Sequence, residues 1–110
     1  MSKSTKFVWK ENVSFTKKAL EDFEALDNSQ RIVVFKAINK VADNPKPRPN
    51  GYGKPLSGPL KDYCKIKLRD YGIRIIYKLV PPDSDNMNII IIGMRNDKEV
   101  YNDAVDRIKN

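Results

Sequence analysis

An α+β fold is what the 110-residue sequence predicts: a mostly antiparallel sheet of four strands, two N-terminal helices and a short C-terminal helix. Three observations carry that expectation. Two capping signals, each followed by apolar residues at helical spacing, lie between residues 16 and 42. Three strand-like runs separated by turn sequences fill residues 60–95, and a third capping signal then opens the C-terminal segment. The length suits one domain, 1–110, with no internal repeat.

Phe7, Trp9, Val13 and Phe15 alternate, which fits a first strand within Lys6 to Phe15, interrupted near Lys10 to Asn12. Thr16 is placed to cap a helix whose apolar stripe is Ala19, Leu20, Phe23 and Leu26, with Phe15 and Leu20 spaced as a hydrophobic staple. Asp27-Asn28-Ser29-Gln30 has capping-box spacing for a second helix, buried through Ile32, Phe35, Ile38 and Val41 or Ala42, and Asn44-Pro45 stops it. Pro45 to Pro59 holds five of the seven prolines and reads as an irregular surface loop. The strands expected next are Leu60 to Arg69, Gly72 to Val80 and Asn88 to Arg95. Asp70-Tyr71-Gly72 turns the chain between the first two, and Pro81 to Asn86 leads into the third. Asn96-Asp97-Lys98-Glu99 then starts a helix faced by Val100, Ala104, Val105 and Ile108.

The chain has no histidine, which excludes Ser-His-Asp triads, imidazole acid-base pairs and His-based metal sites together. Its one cysteine, Cys64, cannot close an internal disulfide or build a metal cluster, and its inward strand position reads as core. Neither a metal nor a cofactor is expected. No apolar run approaches the roughly 18–20 residues of a membrane span, and Met1 to Lys6 lacks the features of a secretory leader, so a cytoplasmic protein with no membrane partner is expected.

Lys and Arg number 21 against 14 acids, and the excess sits in the middle of the chain. From Pro45 to Lys78 there are nine basic and two acidic residues, a net +7, while the flanks balance at twelve and twelve. A polyanion would be drawn to that segment; the alternative is a solubilising charged surface. Strand alternation puts Tyr63, Lys65, Lys67 and Arg69 on one face and Cys64, Ile66 and Leu68 on the other. Repulsion among the cations favours an uncharged lysine able to accept a proton, although a solvated outer face also explains such a stripe. If Lys65, Lys67, Arg74 and Arg95 share a concave face with almost no acids, the cluster becomes a phosphate site, with Tyr101 at its rim to stack a base. Gly51-Tyr52-Gly53-Lys54-Pro55 lacks P-loop spacing, and the pairs Glu21/Asp22 and Asp83/Asp85 are explained by solvation on a helix surface and in a turn.

These stretches resemble a known family. Phe15-Thr16-Lys17-Lys18-Ala19-Leu20, Leu56-Ser57-Gly58-Pro59-Leu60, Cys64 to Arg69 through Gly72 to Tyr77, and Gly93-Met94-Arg95 through Glu99-Val100-Tyr101 are similar to the RelE toxins of bacterial type II toxin-antitoxin systems, within the RelE/ParE superfamily. The likeness runs from about Val13 to Ile108, leaving residues 1–12 as a less typical extension. It implies a RelE-like fold and a metal-independent endoribonuclease, an mRNA interferase that cuts mRNA in the ribosomal A site. The cut would proceed by 2'-hydroxyl attack, leaving a 2',3'-cyclic phosphate and a 5'-hydroxyl. Lys65 and Lys67 match the family's strand lysines, Lys67 being the better general base. Arg74 matches the arginine that stabilises transition-state charge, Arg95 the arginine assigned to the leaving 5'-oxygen, and Tyr101 the tyrosine that stacks on the mRNA. An arginine is a poor proton donor at neutral pH, so Arg95 fits charge stabilisation better than acid catalysis. Lys46, Arg48, Lys54, Lys61, Arg69 and Lys78 are candidate RNA-phosphate contacts. The implied partners are a RelB-like antitoxin, the ribosome and mRNA, with operator DNA reached only through the antitoxin complex. The alternatives are a non-catalytic, ParE-like DNA gyrase inhibitor and a basic RNA-binding module without catalysis.

Overall fold

The computed structural model describes residues 7–109. In chain order the elements are β1 (Val13–Phe15), α1 (Lys17–Ala25), α2 (Asn28–Ala42), β2 (Lys54–Pro55), β3 (Tyr63–Leu68), β4 (Ile73–Leu79), β5 (Met87–Gly93) and α3 (Asp97–Lys109). The strands form one sheet in the order β1-β5-β4-β3-β2. Among the strands of the described residues only the β1/β5 pair is parallel. No helix among the described residues is long and apolar enough to cross a membrane.

The sheet therefore has five strands, not the expected four. The extra strand comes from the proline-rich segment: Lys54 and Pro55 pair antiparallel with Lys65 and Cys64, at the sheet edge where a proline's missing N–H is tolerated. The rest of that segment is also anchored. Tyr77 donates its phenol to the Pro45 carbonyl at 2.7 Å inside the core. A Cβ on Gly53 would stand 2.4 Å from the Tyr77 oxygen, so only glycine passes there.

Both helix starts follow the capping signals. The Thr16 side chain accepts from the Ala19 N–H, and Asp27 and Gln30 form a reciprocal capping box in which the Gln30 N–H holds the Asp27 carboxyl below its usual range. The buried faces are shifted from expectation. Leu20 is exposed, and α2 buries Val34, Ile38, Val41 and Ala42 while Ile32 and Phe35 are half-buried. The first strand shrinks to Val13–Phe15, and Lys6 lies outside the described residues. Phe7 and Trp9 precede it as irregular chain and pack their rings on Phe23 and Phe35 at 5.1–5.2 Å between centroids. The aromatic residues, not strand pairing, hold this segment down.

Helices cover both faces of the sheet, which is why β5 reads as the uninterrupted run Ile89 to Ile92. α1 and α2 pack over Ile66, Ile73, Ile75, Tyr77, Ile89 and Ile92. On the other face, Val100 and Ala104 of α3 pack over Ile76, Ile90 and Ile91. Strand alternation alone would send Ile90 and Ile91 to opposite faces, but the register slips between Ile76 and Tyr77, and this bulge lets both reach α3. Cys64 is buried beside Tyr77, and burial pushes its thiol up, as a core residue requires.

Asp22, expected on a solvated helix surface, is instead a tie among three elements. Its carboxylate accepts two bonds from the Arg107 guanidinium, at 2.6 and 3.0 Å, and one from the Ile92 N–H at 3.0 Å. Arg107 also donates to the Ile90 carbonyl at 2.9 Å. Both side chains are mostly buried. Asp22→Ala strands the guanidinium and the Ile92 N–H, and should cost about 2–3 kcal/mol in urea unfolding; Asp22→Asn, which keeps an acceptor, should cost less.

Candidate active site

The face under α3 carries the basic rows of β3 and β4. Residues paired across an antiparallel ladder share a face, so Lys54 stands beside Lys65, and Lys67 beside Arg74. Like charges placed so are destabilising unless an anion intervenes. One does: Asp97, the first residue of α3. Its carboxylate accepts from Arg74 Nε at 2.6 Å and from Lys67 Nζ at 3.2 Å, and lies 3.7 Å from Lys65 Nζ. The Arg74 bond, then Lys67 and Lys65, hold the Asp97 carboxyl down at about 2. Its place at a helix N-terminus adds to the preference for the anion.

Lys65 is the buried charged residue of the described chain, 7% exposed. Its Nζ donates to the Tyr101 oxygen at 2.6 Å and stands 5.3 Å from the centre of the Tyr101 ring. The solvated outer face considered for the basic stripe does not exist at this position, because α3 covers it. Tyr101 sits one turn along α3 from Asp97, so one helix supplies both the carboxylate and the phenol.

Lys65, Lys67, Arg74 and Tyr101 thus come together, and Arg95 stands apart from them. It lies just before α3, 59% exposed, with its guanidinium bonded to Glu99 at 3.0 Å and Asp103 at 3.1 Å. Glu99 is the fourth residue of the expected capping box, but its carboxylate goes to Arg95; only the Asn96 side chain performs its half, accepting from the Glu99 N–H at 2.9 Å. The expected shortage of acids around the cluster is corrected as well. The sequence signal at Asp97 is only that of a helix start; what marks it is its position four residues after Gly93, the strand end that pairs with Arg74.

The remaining basic candidates divide. Arg48, Lys54 and Arg69 line a depression of about 310 Å³ together with Lys65, Lys67, Tyr52, Val41 and Ile66. Lys61 and Lys78 border a separate cleft that also holds Asp62 and Asp83. Lys78 Nζ lies 5.2 Å from the Tyr63 ring centre, and Lys46 faces Asp85 at 3.9 Å.

The Asp97 carboxylate is the anion that offsets the charge of Lys65, Lys67 and Arg74. Because its carboxyl is held below the ordinary aspartate value of 3.8, it stabilises the fold above about pH 4 and loses that effect as pH falls through about 2. Asp97→Asn should therefore melt below the wild type at pH 7. The gap should close near pH 2, and at pH 7 added sulfate or phosphate should narrow it by filling the vacated site; melting curves read by circular dichroism check both.

No family model matches the chain. Against curated proteins it is 31% identical over 96 residues to the mRNA interferase toxin RelE of Escherichia coli strain K12, covering 87% of this chain and 95% of that one. The crystal structure of the isolated E. coli RelE toxin superposes with a TM-score of 0.63 at 31% identity, over 87% of this chain and 96% of that one. In the intact E. coli RelBE toxin-antitoxin complex the corresponding values are 0.58 and 27%, over 76% and 95%. Similarity at this level along almost the full length of those relatives, on the same α+β fold, makes this chain a member of the RelE toxin family.

Proposed function

We propose that the protein is the toxin of a type II toxin-antitoxin pair, an endoribonuclease that cuts mRNA held in the ribosomal A site and so stops translation. The observation that supports this most directly is the gathering of Lys65, Lys67 and Arg74 around one carboxylate, with Tyr101 bonded to Lys65, on a RelE framework. The scissile phosphate takes the position of the Asp97 carboxylate, between Arg74 and Lys67. The RNA 2'-oxygen then attacks phosphorus as its proton passes to the uncharged form of Lys67, the bond to the 5'-oxygen breaks and that oxygen takes a proton from solvent, and the products are a 2',3'-cyclic phosphate and a 5'-hydroxyl. Side chains alone carry the step, without a metal.

Arg74 and Lys65 balance the charge that grows on the phosphoryl oxygens, the kind of preorganised stabilisation that gives large rate effects. Lys65 also holds the Tyr101 phenol, and thereby fixes the ring against which a base stacks. Arg95 swings from Glu99 and Asp103 toward the leaving oxygen; its exposed ion pairs on the surface of α3 are weak enough to exchange for a phosphate ester. The ribosome supplies the in-line geometry of the 2'-oxygen, which an open site on a small protein does not impose. The partner that silences the toxin is a RelB-like antitoxin, a pairing that the E. coli RelBE toxin-antitoxin complex supports, and any contact with operator DNA is made through the complex with that antitoxin.

Primer extension on a defined mRNA in a cell-free translation system tests the reading. The wild type should cut within the reading frame, and omission of ribosomes should abolish cutting. Arg74→Ala and Arg95→Ala should each lower the cleavage rate by about 10²–10³, with melting temperatures near the wild type for Arg95→Ala. Ribosome-independent cutting would keep the nuclease and discard the A-site mechanism. Growth arrest with a DNA damage response and no RNA ends would replace it with gyrase inhibition.

A further inference from the structure

The segment joining α2 to β2 is built, not slack. The Tyr52 N–H donates to the Asn44 carbonyl at 2.8 Å, Gly53 N–H to Lys46 at 3.0 Å, and Arg48 N–H to Gly53 at 2.8 Å. The Asn44 amide closes the loop on the Asn50 carbonyl at 2.8 Å. A Cβ on Gly51 would stand 2.2 Å from the Lys46 oxygen, so the turn closes only with glycine at that point. This frame displays three side chains that contribute nothing to the core: Arg48, Tyr52 and Lys54. All three line the 310 Å³ depression at the β2/β3 edge of the sheet, which Lys65 and Lys67 also border.

The depression differs from the neighbouring cluster in one respect. Lys65 and Lys67 have Asp97, but among the described residues no carboxylate lies within 4 Å of Arg48, Lys54 or Arg69. Lys54 sits directly across the ladder from Lys65, an arrangement that needs an anion. The Tyr52 ring is 52% exposed and its hydroxyl bonds to nothing in the described chain. An unpaired aromatic face beside unpaired cations, in a depression that Val41 and Ile66 also border, matches a base and its phosphate better than it matches an acidic peptide. The volume is at the lower end of the range of about 300–1,000 Å³ for small-ligand pockets.

We infer that this depression is a second nucleotide subsite for single-stranded RNA, in which Arg48, Lys54 and Arg69 hold the phosphate next to the scissile one and Tyr52 stacks on the flanking base. The assignment rests on the proposed function in taking RNA as the ligand and Lys65 and Lys67, which border both places, as the link between them. Tyr52 and Arg48 are positioning residues, set where they choose the nucleotide beside the cut.

The test is fluorescence anisotropy with a labelled 2'-O-methyl hexauridylate, which cannot be cleaved, titrated with the full chain at several salt concentrations. Tyr52→Ala should weaken binding about tenfold or more at every salt concentration, while Tyr52→Phe should bind as the wild type does. Arg48→Ala should weaken binding and flatten the salt dependence by about 0.7 in log-log slope, the value of one phosphate contact on a single strand. In the primer-extension assay Tyr52→Ala should shift the distribution of cut positions. Equal binding by wild type, Tyr52→Ala and Arg48→Ala overturns the subsite, as does displacement of the oligonucleotide by polyglutamate with no dependence on Tyr52. If Tyr52-dependent binding appears but no mRNA is cut on ribosomes, the subsite stands and the nuclease reading falls. If cutting is normal and oligonucleotide binding ignores Tyr52, the nuclease stands and the subsite falls.

Discussion

An ionised carboxylate among three cations is the interaction on which this architecture turns. Strands β3 and β4 bring Lys65, Lys67 and Arg74 onto one face, and their repulsion would oppose the antiparallel pairing that places them there. Asp97 answers all three from the N-terminus of α3. The same contact fixes the helix over the sheet, where Val100 packs so tightly on Gly93 that any larger residue would collide. Asp22 and Arg107 pin the other end of α3. The helix is thereby held by charge at both ends and by apolar packing between them.

The cations fall into two populations, and the difference is physical. Lys65, Lys67, Arg74 and Arg107 are at least half-buried and paired, since an unpaired charge in those positions would carry a desolvation penalty. Arg48, Lys54 and Arg69 have no carboxylate partner among the described residues and remain available to an external anion. Paired cations are already desolvated and oriented, whereas exposed ones attract a polyanion over a longer range.

The elements were largely legible because their signals are local. Thr16 and the Asp27/Gln30 box start helices through bonds spanning three residues, and the alternation in β3 and β4 needs only the strand itself. The misreadings arose where distant groups decide. The two-residue strand Lys54–Pro55 exists only because β3 offers it a ladder, and its own sequence reads as loop. Leu20 has the spacing of a buried residue, yet it stays exposed at the rim of an open depression that it lines with Phe7, Trp9 and Phe23. Asp22 looked like an ordinary helix-surface acid because its partner is 85 residues away.

The basic candidates show the same division. From sequence alone came the excess of charge in residues 45–78, the shared face of Lys65 and Lys67, the family resemblance and the exclusion of histidine chemistry, because each depends on composition, strand period or a contiguous motif. Tertiary structure decided which cations meet. It put Asp97 between Lys67 and Arg74, buried Lys65 beneath Tyr101, turned Arg95 toward Glu99 and Asp103, and separated Lys61 and Lys78 from Arg48 and Lys54. Charge pairing falls off with distance in space and ignores distance along the chain, so no periodicity reports it.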